Sequence, residues 1–395
     1  MKFDILFMFK LISAVVLGTE YPKAFADINW ENILKISLSH NITNIVGYAI
    51  LNGKYDVPDE IKKQFEKKVF ERLCVSANQN KEIDKVLEIF EEKNISYMPL
   101  KGVILQDLYP QKDMRTMADA DILIKNTQYD NARKVLTDLG YEFLSESDHE
   151  FNYIKKPYMH IELHKHLIPS YNDDLYKYFG DGWKKAKLCR EGSSRYELSK
   201  EDNFIYLVAH FAKHYRDAGI GIKGVIDLWI YIKKYPDINM DFIYSELEKL
   251  NLKNFFENLL KLNKVWFEDE PMDELTSKMT VFIINSHTFG TMKNKMSAKS
   301  IRESKNIEDA ENFKYFRAIF PNIQKMKLIF PVLEKFPILL PFFWVYRVVR
   351  FILFRRDRFE KNRQAVKSIN VNNIKEYNKH MRMVGIDIYN GRETK

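Results

Sequence analysis

Asp119 and Asp121 stand two residues apart in the apolar segment Ala118-Asp119-Ala120-Asp121-Ile122-Leu123-Ile124. The alternation predicts a β-strand, whose successive side chains point to opposite faces, so the two carboxylates share one face about 7 Å apart. Two acids that close repel, and burial without a partner raises one pKa sharply. A divalent cation between them removes the conflict. Mg²⁺, or Mn²⁺ in its place, suits such hard oxygen donors and keeps positions open for phosphate. A third acid is Glu162 in His160-Ile161-Glu162-Leu163-His164, where the same alternation puts His160, Glu162 and His164 on one face. On a neighbouring strand, Glu162 would complete the metal site and accept the proton of an attacking hydroxyl.

The spacing alone is weak, because Asp148/Glu150 and Glu268/Glu270 repeat it. What singles out Asp119/Asp121 is context: an apolar strand, the turn Lys101-Gly102 upstream, and a third acid downstream. Lys101 and Arg115 are candidate phosphate contacts, lysine as a point charge and arginine as a fork. The plainer alternative is that they balance nearby acids. Gly102 would let the backbone approach a phosphate closely, or serve as an ordinary strand-to-helix turn.

His210 and His214 lie one helical turn apart, a spacing compatible with zinc. Phe211 follows His210, however, so the glutamate of a zinc-protease motif is missing. They read better, with His160 and His164, as packed histidines around the acid site, and Asp227 in an apolar helix as a partner for one of these groups or for Lys223. The run Gly219-Ile-Gly221-Ile-Lys-Gly224 follows a predicted helix rather than a strand, so it reads as a helix-to-helix turn and not as a dinucleotide fingerprint.

These residues need strands to hold them, and the chain supplies strands in one stretch only. Residues 1–84 read as a helical N-terminal region, with helices marked by Ile33 to Leu38 and by apolar positions from Asp59 to about Asn94. Residues 85–195 read as a compact α/β core, with strands at 95–100, 118–124, 141–144, 151–154 and 159–164 and a helix from Thr127 to Leu139 stopped by Gly140. Residues 196–295 return to helical periodicity and pack on that core. Residues 296–395 form a basic, aromatic-rich region whose last twenty-five residues read as a loose tail.

Composition bounds the class. With 46% apolar and 29% charged residues among 395, the chain is neither disordered nor an integral membrane bundle. Two cysteines, Cys74 and Cys189, exclude a four-cysteine zinc site and a disulfide framework, and a reducing cytoplasm is the simplest setting. Lys10 interrupts the apolar run of residues 1–20, which reads as an amphipathic packing helix rather than an export signal. Residues 301–395 carry 20 Lys and Arg against 10 Asp and Glu, leaving residues 1–300 near −2. That near-neutral body speaks against a long nucleic-acid track. Phe336 to Phe354 is rich in aromatic and aliphatic residues, and Arg347 and Arg350 make it a poor spanning helix. Residues 336–361 read as docking on the protein's own body or as a peripheral membrane contact.

Pro99-Leu-Lys-Gly-Val-Ile-Leu, Leu108-Tyr-Pro, Arg115, Asp119-Ala-Asp-Ile-Leu-Ile, Leu139-Gly-Tyr and His160-Ile-Glu-Leu-His together resemble the uncharacterised nucleotidyltransferase family of the DNA polymerase β nucleotidyltransferase superfamily. Ala209-His-Phe-Ala-Lys-His214 and Val225-Ile-Asp-Leu-Trp resemble its downstream helices, and the likeness covers residues 1–235 well and the rest loosely. The resemblance implies an α+β fold: a polymerase β-like core with a mixed sheet, flanked by helical N- and C-terminal regions. It also implies a reaction, transfer of a nucleoside monophosphate from an NTP with release of pyrophosphate. Asp119, Asp121 and Glu162 would hold Mg²⁺, and Lys101, Gly102 and Arg115 the nucleotide. The sequence departs from the superfamily pattern in having Lys101-Gly102 for Gly-Ser (a pair the family shares), Ala120 for a larger apolar residue, and Glu162 for Asp. The acceptor stays open among a sugar phosphate, a lipid, a peptide and RNA. The rival reading is a catalytically silent relative acting as a membrane-surface binding or assembly module.

Overall fold

A computed structural model describes residues 2–25, 27–303, 320–321, 323–354 and 371–388. The chain divides into two compact units, Met1–Lys213 with Ile220–Thr288, and His214–Gly219 with Phe289–Lys395. The fold is mixed α+β, with a five-stranded mixed sheet and helical N- and C-terminal regions.

The first unit opens with α1 (Lys2–Leu17), α2 (Trp30–Ser39), α3 (Thr43–Asn52) and α4 (Asp59–Glu92). Helix α1 is less amphipathic than expected: Ile5, Phe7, Met8, Phe9, Leu11 and Ile12 are all buried, so apolar side chains leave it in most directions, as in a core helix. Phe9 stacks on Trp266 with ring centroids 3.9 Å apart, while Lys10 reaches out to Asp269 at 2.6 Å. Helix α4 is unbroken over 34 residues and begins directly after Pro58. Its first half crosses α3 so closely that a Cβ on Gly47 would lie 2.5 Å from Val69 Cγ2. Its second half turns Ile83, Val86 and Phe90 onto the sheet.

The sheet runs β1 (Tyr97–Pro99), β2 (Ala120–Ile124), β5 (Met159–His164), β4 (Glu150–Lys155) and β3 (Glu142–Glu146) in spatial order. Strands β2 and β5 are parallel and the other neighbours antiparallel. Helix α6 (Tyr129–Asp138) starts after a 3₁₀ turn at Asn126–Gln128, two residues later than the Thr127 start read from the sequence. It ends where Gly140 adopts φ 80°, a conformation that glycine takes without strain. One sheet face is a closed core of Ile122, Ile124, Ile161, Leu163 and Tyr153 against Val86, Phe90, Val135 and Leu136. The other face carries the polar residues of the same strands. The period of two therefore sorts each strand into a half that stabilises the fold and a half available for chemistry.

Helices α7 (Asp173–Phe179), α8 (Lys200–Asp217), α9 (Ile222–Lys234), α10 (Met240–Lys249), α11 (Lys253–Phe267) and α12 (Glu274–Ser286) follow. The glycine run 219–224 joins α8 to α9, as a helix-to-helix turn should. In the second unit, the segment read as a loose tail instead forms a helix, Val371–Met383, which buries Ile374, Tyr377 and Met381. It is fixed there by polar contacts too: Tyr377 Oη donates to the Arg216 carbonyl at 2.6 Å, and Tyr215 Oη meets His380 Nε2 at 2.8 Å. Residues 355–361 of the basic segment lie outside the described residues, as do residues 389–395. No described helix is long and apolar enough to cross a membrane.

Candidate active site

The parallel register of β2 and β5 sets Asp121 directly opposite Glu162, and Leu123 opposite His164. Asp119 lies one residue before β2. The antiparallel β4 then adds Glu150 opposite His164 and Asn152 opposite Glu162. Three strands thus bring four carboxylates and two histidines to one sheet face. Ligating atoms of Asp119, His160 and Glu162 lie within 4.8 Å of one another, and so do those of Asp121, Glu162 and His164.

Asp121 is the centre of this group. Lys101 Nζ donates to its Oδ1 at 2.6 Å, and His164 Nε2 lies 2.7 Å from the same atom. His164 also approaches Glu162 Oε2 at 3.4 Å and, through Nδ1, His149 Nε2 at 3.1 Å. Burial opposes ionisation of Asp121, but the Lys101 ammonium and the His164 hydrogen bond override it and hold the carboxyl well below the usual range. Asp119 lies near Lys101 but forms no ion pair with it among the described residues. Burial, Asp121 and Glu162 together push it up to about 6. Glu150 is also raised, by burial and then by Glu162. His149 is held neutral by burial and by the neighbouring His164.

The turn that delivers Lys101 is unusual. β1 continues its ladder through Leu100 N–H to the Asp121 carbonyl at 3.0 Å, and the chain then reverses at Lys101 with φ 45° and ψ −115°. A side chain in that region strains the backbone by about 1–3 kcal/mol, a cost that functional sites often carry. Gly102 opens the short helix α5 (Gly102–Leu105), and a Cβ there would lie 2.8 Å from Met117 Cγ. Its lack of a side chain thus admits Met117 from the loop leading to β2.

Arg115 belongs to a separate knot. Its Nε donates to Asp227 Oδ1 at 2.7 Å and its Nη1 to the Thr116 carbonyl at 2.9 Å. Tyr109 Oη donates to the same Asp227 oxygen at 2.7 Å, and Lys223 Nζ to the Thr116 carbonyl at 2.9 Å. Burial, aided by Arg115, lowers Lys223 to about 7. Asp227 therefore pairs with Arg115, which stood on the sequence as a phosphate contact. His210 and His214 sit on α8, His214 in the part that groups with the second unit, and among the described residues neither joins a metal-competent cluster.

Sequence reasoning missed Glu150, His149 and Tyr206. The Asp148/Glu150 spacing looked like background, yet the hairpin pairing Lys155 with Met159 folds Glu150 back opposite His164. Tyr206 is fully buried on α8, its hydroxyl senses Lys101, Asp121, Glu162 and Glu150, and that oxygen has no hydrogen-bond partner among the described residues. The only signal for it was a tyrosine inside an apolar helical run.

The donor set fits a divalent metal. Four carboxylates face one lysine, and His160 Nε2 is buried without a partner among the described residues. Hard oxygens in excess, with imidazole beside them, match Mg²⁺ or Mn²⁺. A mixed sheet presenting such a carboxylate cluster next to a cationic strand-to-helix turn is consistent with the nucleotidyltransferase fold. Residues 26–268 match the family described as uncharacterised nucleotidyltransferase, and the chain belongs to that family of transferases. No curated protein and no solved structure matches the chain.

Proposed function

We propose that this face binds Mg²⁺ or Mn²⁺ with the triphosphate of an NTP and transfers the NMP group to a hydroxyl or phosphate acceptor, releasing pyrophosphate. The reading rests chiefly on Asp121 and Glu162 facing each other across the parallel pair, with Asp119 and His160 in reach of Glu162. Asp119, Asp121 and Glu162 are the residues to hold the ion, which supplies charge neutralisation at the reacting phosphate. Lys101, now bonded to Asp121, is the cation nearest the acids and the one we assign to phosphate. Glu162 takes the acceptor's proton as its oxygen bonds to the α-phosphorus, while the bond from that phosphorus to the pyrophosphate oxygen breaks. His164 and His149 fix the orientation of Asp121. Arg115 and Asp227 hold the loop that carries Met117 and Asp119. The test is binding of each labelled NTP with and without Mg²⁺, followed by incubation with lysate to find what acquires label. Mg²⁺-dependent binding and labelling lost in Asp119→Ala support the reading. Labelling that survives in that variant overturns it.

A further inference from the structure

The second unit contains an apolar surface that the acid site does not explain. The Leu340–Phe354 helix packs inward through Phe343, whose ring lies 4.6 Å from that of Phe330, and through Trp344, whose Nε1 donates to the Pro321 carbonyl at 2.9 Å. Its other side is exposed among the described residues. Phe342 is 64% exposed, Val345 62%, Tyr346 46% and Val349 47%. Spacings of three, four and seven place these four on a single stripe. The turn before the helix extends the patch with Phe336 at 56% and Ile338 at 86% exposed. A contiguous apolar patch of this kind marks an interaction surface.

Charge chooses the occupant. From Lys335 to Phe354 the sequence contains Lys335, Arg347 and Arg350 and no acid. Arg350 is exposed and sits one position beyond Val349, at the edge of the apolar stripe. Two copies of so cationic a face repel each other, whereas an anionic lipid headgroup is attracted, by about 1 kcal/mol per cation. The helix is too short to span: 15 residues reach about 22 Å against a hydrocarbon core of about 30 Å. We propose that this helix lies on the surface of an anionic bilayer, its Phe342–Val349 stripe in the acyl boundary and Arg350 at the headgroups. The inference does not depend on the acid site.

The experiment is flotation of the full-length protein with vesicles of phosphatidylcholine alone and of phosphatidylcholine with about a third phosphatidylserine. The wild type should bind the anionic vesicles roughly tenfold better, and about 0.5 M salt should release much of it. Phe342→Asp with Val345→Asp should abolish flotation, and Arg350→Glu should weaken it. A thermal melt matching wild type shows that the double variant folds, and unchanged Mg²⁺-dependent NTP binding by the same preparation separates this surface from catalysis. Wild-type protein that stays in the soluble fraction with anionic vesicles overturns the proposal, as does flotation unaffected by the double substitution. A self-association in sedimentation that the double variant loses, without vesicle binding, assigns the face to a second copy instead.

Discussion

Two buried ionic clusters stand in the first unit, and they differ in charge balance. Around Asp227, one carboxylate meets Arg115 and Tyr109, and Lys223 moves toward neutrality while donating to the Thr116 carbonyl. Among the described residues, none of these four side chains has a buried polar atom left without a partner. On the sheet face, Asp119, Asp121, Glu150 and Glu162 outnumber Lys101 and His164, the Asp119 carboxyl is pushed up to about 6, and Tyr206 and His160 keep buried polar atoms without partners among the described residues. Burying unpaired charge costs several kcal/mol unless something compensates. The first cluster is compensated within the fold, so it is a structural joint. The second carries an excess of acids that a cation would compensate, as the proposed function requires.

Breaking each cluster should therefore do opposite things. The largest effect is expected from Asp121→Asn, which keeps the shape but removes the charge that answers Lys101 and the metal. Turnover should fall roughly a hundred- to a thousandfold, measured as Mg²⁺-dependent NTP consumption, and a near-normal rate would remove Asp121 from the reaction. Arg115→Ala should leave catalytic groups in place yet lower stability by about 3–5 kcal/mol, because Asp227 stays buried with only a tyrosine to meet it. Urea denaturation reads this directly. Pairing Arg115→Met with Asp227→Leu should recover most of the loss, since an apolar pair asks for no compensation.

Asp119→Asn should show the reverse sign. An acid whose folded-state pKa is raised from 3.8 to about 6 binds its proton more tightly folded than unfolded. Below about pH 4 both states are protonated and the group contributes nothing. As pH rises toward about 6 the unfolded chain releases its proton first, so stability falls, and above that the penalty is constant. Metal-free Asp119→Asn should then match wild type near pH 4 and exceed it above pH 6, by about 3 kcal/mol. Millimolar Mg²⁺ should stabilise the wild type by mass action and leave the variant little changed. A variant less stable than metal-free wild type at neutral pH would show that Asp119 is already compensated.

The sequence displayed the site's parts better than their arrangement. Alternation in residues 118–124 and 160–164 assigned Asp121, Glu162 and His164 to correct faces, because a period of two is local information. Which residue faces which depends on pairing between strands about forty residues apart, and the parallel register of Asp121 with Glu162 is not written in either segment. For the same reason Glu150 was passed over as a chance spacing, and Arg115 was read toward phosphate when its partner, Asp227, comes from α9. Helix α1 misled differently: Lys10 looked like a break in an apolar face, yet its long side chain simply carries its charge out to Asp269. Tyr206 could not be told from any other core tyrosine without the acids beside it.

The finest test of the contrast uses two tyrosines. Tyr109 Oη donates to Asp227 in the balanced cluster, and Tyr206 Oη lies buried beside the acids without a protein partner among the described residues. Tyr109→Phe deletes a hydrogen bond to a charged group and should cost about 1.5–3 kcal/mol. Tyr206→Phe deletes a buried hydroxyl that gains nothing from the fold, so it should be neutral or stabilising by up to about 1 kcal/mol in the metal-free protein. If that hydroxyl instead serves the bound nucleotide, the same variant should weaken NTP binding while its melting temperature holds or rises. Equal losses of stability in the two variants would mean that the acid face is as fully satisfied as the Asp227 knot, and the distinction between joint and site would fail at its most sensitive point.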